Sequence, residues 1–265
     1  MADIKTSSTL KNSLISYWDM EEAGGNREDS YTNDYELEDN NSVGSGAMTG
    51  VGNGVGADFV RSNDEWLGTD GDKANLNITG SISVSFWINL DNTDSQLIAK
   101  KNDGTNGYVI EVGGGSGPLK ILIEDSDAKS EAITNATVGT SLTHWVITCD
   151  PSGGPDSKFY KNGSLADSTQ NTTAASAIGA SSTAFVMSQT GGEGLDGLMK
   201  FFGIWERELT SSEATELYSS GKGLPYEETI VGPANLKTLD TVSKANIKTI
   251  NSVAIANVKS IDTVT

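Results

Sequence analysis

The chain has a single histidine, His144, and a single cysteine, Cys149. Ser-His-Asp or Cys-His catalysis would hang on that one imidazole, and neither a His-pair nor a Cys-based zinc site can be assembled. Cys149 lies in HWVITCD, an apolar alternation that predicts a buried thiol, and it excludes an intrachain disulfide. His144 opens the same stretch and reads as a hydrogen-bonded structural residue. The glycine clusters GVGNGVG at 50–56 and GGGSG at 113–117 lack the Gly-Lys-Ser/Thr ending of a phosphate loop, so they read as turns. Five tryptophans, Trp18, Trp66, Trp87, Trp145 and Trp205, fall in predicted strands, where packing is the default role. Trp66 differs in following the acidic turn SNDE, which makes it a candidate to stack on a ligand ring. Tyr31, in the polar stretch DSYTND, is a second candidate.

The elements that would position these residues are short. From residue 13 to about 226, alternating or apolar runs are separated by Gly, Asn, Asp and Ser clusters, which predicts strands joined by turns. The clearest are 14–20, 82–90, 108–112, 119–125, 144–150, 158–163, 184–189 and 198–206. In ISVSFWINL, Ile82, Val84, Phe86, Ile88 and Leu90 share one side while Ser83, Ser85, Trp87 and Asn89 share the other, predicting a sheet with one core face. Asn162-Gly163 suits a type I′ hairpin turn. One short helix is expected in LTSSEATELYSSG, capped at Thr210 or Ser211 and ended by Gly221. Many strands without alternating helices predict an all-β, two-sheet antiparallel jelly-roll sandwich.

Composition narrows the function. Eighteen Lys+Arg against 36 Asp+Glu give a net charge of −18. Such a surface repels nucleic-acid phosphate and anionic membranes. The opening MADIKTSSTLKNSLISYW lacks the basic and apolar regions of a signal peptide, and no window approaches a membrane span, so folding in a cytoplasm and no membrane insertion are expected.

At Tyr226 the character changes: all 18 aromatic residues lie at or before it. Residues 234–265 hold three copies of an 11-residue repeat, ANLKTLDTVSK, ANIKTINSVAI and ANVKSIDTVT. Turn formers alternate with aliphatic residues, predicting short strands and turns; an 11-residue period also fits a right-handed helical coil, but Ile, Val, Thr, Asn and Asp form helices poorly. The segment is too small to fold alone. Residues 232–265 carry +2, from four Lys and two Asp, against −20 for the rest. The tails are therefore expected to associate with each other, a trimer being favoured, or to dock on a larger assembly, with a mobile tail as the alternative. The assembly residues would be Leu236, Leu239, Val242, Ile247, Ile250, Val253, Ile255, Val258, Ile261 and Val264. The expected divisions are an arm at 1–12, a jelly roll at 13–226, a linker at 227–233 and the repeats at 234–265.

The order of motifs in 13–226 resembles the laminin-G-like, concanavalin A-like lectin/glucanase superfamily. LISYWDMEEAGGNREDSYTNDYEL is similar to its opening strand and acidic loop, SISVSFWINLDN to its central strand, SLTHWVITCDPSG and SKFYKNGSL to its later hairpin, and LDGLMKFFGIWERELTSSEATELY to its closing strand and helix. The resemblance implies carbohydrate or surface-ligand recognition, with Ca²⁺ near the rim on Asp29, Asn33 and Asp34. Where the family carries an acidic pair in the last strand, this chain has Lys200 and Phe201. A lysine facing Asp29 would supply the positive charge instead, and a simple Asx-rich turn is the third option. The glucanase branch implies paired carboxylates; the nearest run is Glu124, Asp125 and Asp127, whose first two members point to opposite faces of a strand. The repeats are similar to those ending many phage virion proteins. The combined expectation is a non-enzymatic virion protein, a fibre, spike or decoration component, joined to itself and to other virion proteins by its repeats and contacting a host-surface glycan. A free bacterial lectin comes second and a glycan hydrolase third.

Overall fold

The computed structural model describes residues 3–115, 117–126, 128–152, 156–170 and 175–227, plus the backbone of four two-residue strands beyond them. In chain order the first strands are β1 (Leu14–Trp18), β2 (Glu38–Asn40), β3 (Gly44–Ala47), β4 (Val55–Phe59), β5 (Trp66–Gly68), β6 (Ile82–Leu90), β7 (Gln96–Asn102) and β8 (Gly107–Val112). They are followed by β9 (Pro118–Asp125), β10 (Ala128–Thr137), β11 (Thr143–Asp150), β12 (Asp156–Lys161), β13 (Ser164–Gln170), β14 (Val186–Met187), β15 (Gly197–Trp205) and the helix α1 (Ser211–Tyr218). An eight-stranded sheet runs β13-β12-β11-β6-β15-β4-β3, with β1 also paired to β15; a seven-stranded sheet runs β10-β9-β8-β7-β14-β5-β2. All pairings are antiparallel, the expected jelly-roll sandwich.

Apolar residues of both sheets meet in one core that includes Trp18, Phe86, Ile110, Ile121, Ile147, Phe185 and Phe202. Trp18 stacks on Phe185 at 5.4 Å between ring centroids, and Phe86 on Phe202 at 5.8 Å.

The outer faces of the two sheets differ. On the eight-stranded sheet, Tyr17, Trp87, Val146, Tyr160, Phe201 and Trp205 form a second core with Ile4, Leu10, Ala214, Leu217, Leu224 and Tyr226. The cover consists of residues 3–12, α1 and the strap at 219–226. It is also tied by hydrogen bonds: Ile4 N donates to Pro225 O, Lys5 N to Tyr226 O, the Tyr17 hydroxyl to Leu224 O and Trp205 Nε1 to Leu10 O. The one-core-face expectation for β6 is therefore corrected: Ser83, Ser85 and Trp87 are buried as fully as Val84 and Phe86, because α1 and the strap lie over them. The outer face of the seven-stranded sheet carries no such second cluster among the described residues, and β10 shows the simple alternation most clearly. In β10, Ser130, Ala132 and Thr134 point inward while Lys129, Glu131 and Ile133 stand exposed.

Local chemistry fixes the ends of α1 and of the hairpin. Thr210 and Glu213 form the expected capping box, each side chain accepting the other's backbone N–H. The helix stops at Ser219 (φ 50°), not at Gly221; Ser219 and Ser220 both adopt left-handed φ, turning the chain into the strap. Asn162 (φ 51°) and Gly163 (φ 76°) make the expected turn between β12 and β13.

Beyond residue 226 the chain forms a separate unit. Its described parts are two hairpins, β16 (Thr238–Leu239) with β17 (Val242–Ser243) and β18 (Thr249–Ile250) with β19 (Val253–Ala254). Leu239 pairs with Val242 and Ile250 with Val253, so the same repeat positions pair in both copies. Leu236, Ile247, Ile255, Val258, Ile261 and Val264 lie outside the described residues.

Candidate functional site

The acidic loop was the sequence's best metal candidate. Asp29 is buried, and its Oδ1 accepts the backbone N–H groups of Tyr17 and Tyr31, each at 3.0 Å, while Oδ2 accepts that of Tyr35 at 3.2 Å. Burial raises its pKa even so. Asn33 donates to Ile15 O at 2.6 Å and accepts from Asn75, and Asp34 is exposed in a left-handed turn. Asp29 and Asn33 are spent on holding the loop to β1 and Asp34 is turned out to solvent, so the set does not fit a calcium ion. Among the described residues no group of three His, Cys, Asp or Glu is placed to hold a metal.

Lys200 does not face Asp29. Its fully buried ammonium donates to Glu21 Oε1 at 2.7 Å, Asn53 Oδ1 at 2.7 Å and Val55 O at 2.5 Å. A bulge between Lys200 and Gly203, with Phe201 at φ 52°, aims it there. Beside it, Asp19 accepts from Tyr226 N at 3.0 Å and from the Ser30 hydroxyl at 2.7 Å, and burial pushes its pKa up to about 6.

The remaining reactive side chains are committed to structure. Glu124 is buried on β9, ion-paired with Lys129 and hydrogen-bonded by Asn102 at 2.5 Å. Asp125 follows on the other side of the strand, and Asp127 lies outside the described residues. His144 Nε2 shares a 2.9 Å hydrogen bond with the Ser85 hydroxyl, its ring lies against Trp87 and Tyr218, and burial drives its pKa down to about 3. Cys149 is fully buried, its thiol pushed up to about 11 by desolvation.

The two aromatic candidates separate. Tyr31 packs edge-on to Tyr226 at 5.9 Å, as part of the covered side. Trp66 sits on the bare outer face of the seven-stranded sheet. Of the five tryptophans it alone is not buried, and among the described residues it has no ring partner. Its ring leans along β5 into the space above Gly68: a Cβ there would come within 2.6 Å of Trp66 Cζ3 and 3.1 Å of Val186 Cγ1. Glycine two residues after tryptophan on one strand thus lets the indole lie along the sheet beside Val186.

Register places a row across this face. Glu38 pairs with Gly68, Gly68 with Val186, Val186 with Lys100, Lys100 with Val109, Val109 with Leu122 and Leu122 with Glu131. Asn40 stands opposite Trp66. A 420 Å³ cleft lined by Arg61, Ser62, Asp64, Gly191, Gly192 and Asp196 opens at the start of β5. Trp66 was marked in the sequence by its acidic flank; Gly68, Lys100, Val186 and Asn40 were not, because their neighbourhood depends on strand order.

A sandwich with one face sealed and one bare face carrying an unpaired aromatic platform belongs to the class of jelly-roll domains. The chain is a member of the concanavalin A-like lectin/glucanase superfamily, whose laminin-G family model matches residues 61–215, more than half of it. No curated protein matches the sequence. Solved structures with the same fold include the binding domain of Paraclostridial Mosquitocidal Protein 1, 16% identical over 79% of this chain and 52% of that one, with a TM-score of 0.56. The botulinum neurotoxin serotype D binding domain is 15% identical over 78% of this chain and 51% of that one, with a TM-score of 0.60. Domain 4 of AbnA, a GH43 extracellular arabinanase from Geobacillus stearothermophilus, was solved with arabinotriose; it is 15% identical over 77% of this chain and 97% of that one, with a TM-score of 0.57. The chain thus spans about half the toxin binding domains and nearly all of the arabinanase domain. No helix among the described residues is long and apolar enough to cross a membrane.

Proposed function

We propose that this is a non-enzymatic display protein of a phage virion, whose jelly roll presents its bare sheet face to a host-surface glycan and whose C-terminal repeats join copies, as a trimer, and anchor them to other virion proteins. The observation that carries the proposal is the division of the sandwich. Residues 3–12 and the strap leading to the repeats both lie on the outer face of the eight-stranded sheet, opposite the face that holds Trp66. The face that holds Trp66 is clear of both of these segments and free to meet a surface. The arabinotriose-bound arabinanase domain supports a sugar as ligand, and the repeated Leu239–Val242 and Ile250–Val253 pairings support a modular assembly segment. The commitment of Glu124, His144 and Cys149 to internal partners favours binding over hydrolysis.

Light scattering tests the assembly half of the proposal. The full chain is expected to be an oligomer and a chain ending at Tyr226 a monomer; an unchanged oligomer after truncation would overturn it. A glycan array probed with the full chain tests the other half, with binding lost in Trp66→Ala.

A further inference from the structure

The bare face carries a second feature besides Trp66. Three lysines rise from its strands. Lys120 is paired with Glu111 at 2.5 Å and Glu131 at 3.3 Å, and Lys129 with Glu124. Lys100 has no carboxylate at ion-pair distance among the described residues; its ammonium donates at 3.1 Å to the neutral Gln189 Oε1, whose own amide is held by Glu193. In a chain of net charge −18, where acids outnumber bases two to one, a half-buried lysine without an acid is conspicuous. Lys100 stands in the same register row as Gly68, with Val186 between them. Two strand spacings put the two backbones roughly 10 Å apart. The Trp66 ring, the Val186 side chain and the Lys100 ammonium therefore form one continuous strip: an apolar platform with a cation at its end.

Resting on the glycan reading above, we infer that this strip is a subsite for a carboxylated sugar, a uronic or sialic acid. The apolar face of the sugar ring lies on Trp66 and Val186, and its carboxylate replaces the Gln189 carbonyl as the acceptor of the Lys100 ammonium. A charge-assisted bond is stronger than the amide contact it displaces, and Gln189 remains held by Glu193. The overall negative charge does not prevent this, because distant charges are screened over about 8 Å at physiological salt, and Glu193, beside Gln189, is held by the Gln189 amide while Lys100 acts at contact distance. An uncharged sugar would use the platform alone and leave the lysine unanswered.

The test is titration calorimetry on the full chain with sialyllactose and a glucuronate oligosaccharide, set against lactose and the matching glucose oligosaccharide. At least one acidic sugar is expected to bind more tightly than its uncharged partner. Lys100→Met should weaken acidic-sugar binding by about 10- to 100-fold and leave uncharged-sugar binding unchanged, Lys100→Arg should retain the preference, and Trp66→Ala should weaken both. Lys100 has no ion pair to lose, so an unchanged melting temperature verifies that Lys100→Met is folded. Binding of uncharged sugars through Trp66 with no effect of Lys100→Met would overturn the inference and leave the glycan reading standing. Failure of every sugar, here and on the array, would overturn both.

Discussion

Asp29 shows how one side chain can satisfy an expected pattern and serve a different end. A carboxylate whose oxygens accept three backbone N–H groups has little left to offer a cation, and it ties β1 to the buried turn. Asp29→Ala should cost on the order of 3 kcal/mol or more by taking the acceptor from those N–H groups, read as a lower urea midpoint. Calcium or EDTA should leave the melting temperature of the unaltered protein where it is; a calcium-dependent rise of several degrees would mean that the loop rearranges around an ion. The same scale explains what could be read of the bare-face site. Trp66 stood out from its acidic flank, and the glycine that gives its ring room is two positions away. Lys100 carries no mark in its own neighbourhood, since its missing acid is a property of β14 and β8 lying beside β7.

Elements were legible in proportion to how apolar their buried side is. The nine-residue β6 coincides with its expected span because five large aliphatic or aromatic residues alternate along it. The ten-residue β10 gave no such signal, since its inward residues are Ser130, Ala132 and Thr134. The three-residue β2 and β5 are too short to show a period. The strap was invisible for another reason: beside Leu224 and Tyr226 in the second core it holds by backbone groups and by Asp19, whose partners come from distant positions. Asp19 makes that junction sensitive to pH. Its folded-state pKa, raised by burial to about 6, lies above the ordinary carboxylate value of 3.8. The folded protein therefore holds a proton that the unfolded chain releases between these values. The contribution is favourable below pH 4 and is lost as pH rises through 6, a swing on the order of 3 kcal/mol. Asp19→Asn, neutral in both states, should accordingly gain stability relative to the unaltered protein on going from pH 4 to pH 7. A difference in unfolding free energy between the two proteins that stays flat across that range would show that Asp19 ionises freely while the strap is docked.

For the whole molecule, the decisive quantity is the number of bare faces that can act together. A single shallow strip on a sheet surface offers limited contact area, and weak monovalent affinity is the expected result. On the proposed function, repeats that join copies would turn further contacts into intramolecular events, which can raise avidity by about 10²–10⁴ without any new contact, provided the geometry lets the faces engage at once. Trp66 and Lys100 lie on the sheet face opposite the one that bears the strap and residues 3–12. Two measurements with one glycan separate affinity from avidity. In solution, with a soluble monovalent sugar, the full chain and a chain ending at Tyr226 should bind with the same constant per subunit, because the strip lies wholly within the jelly roll. On a surface densely coated with that sugar, the full chain should dissociate at least about tenfold more slowly, and Trp66→Ala should abolish the difference. Equal dissociation rates from the coated surface would mean that the repeats do not bring several faces to bear on one target, whatever else they join.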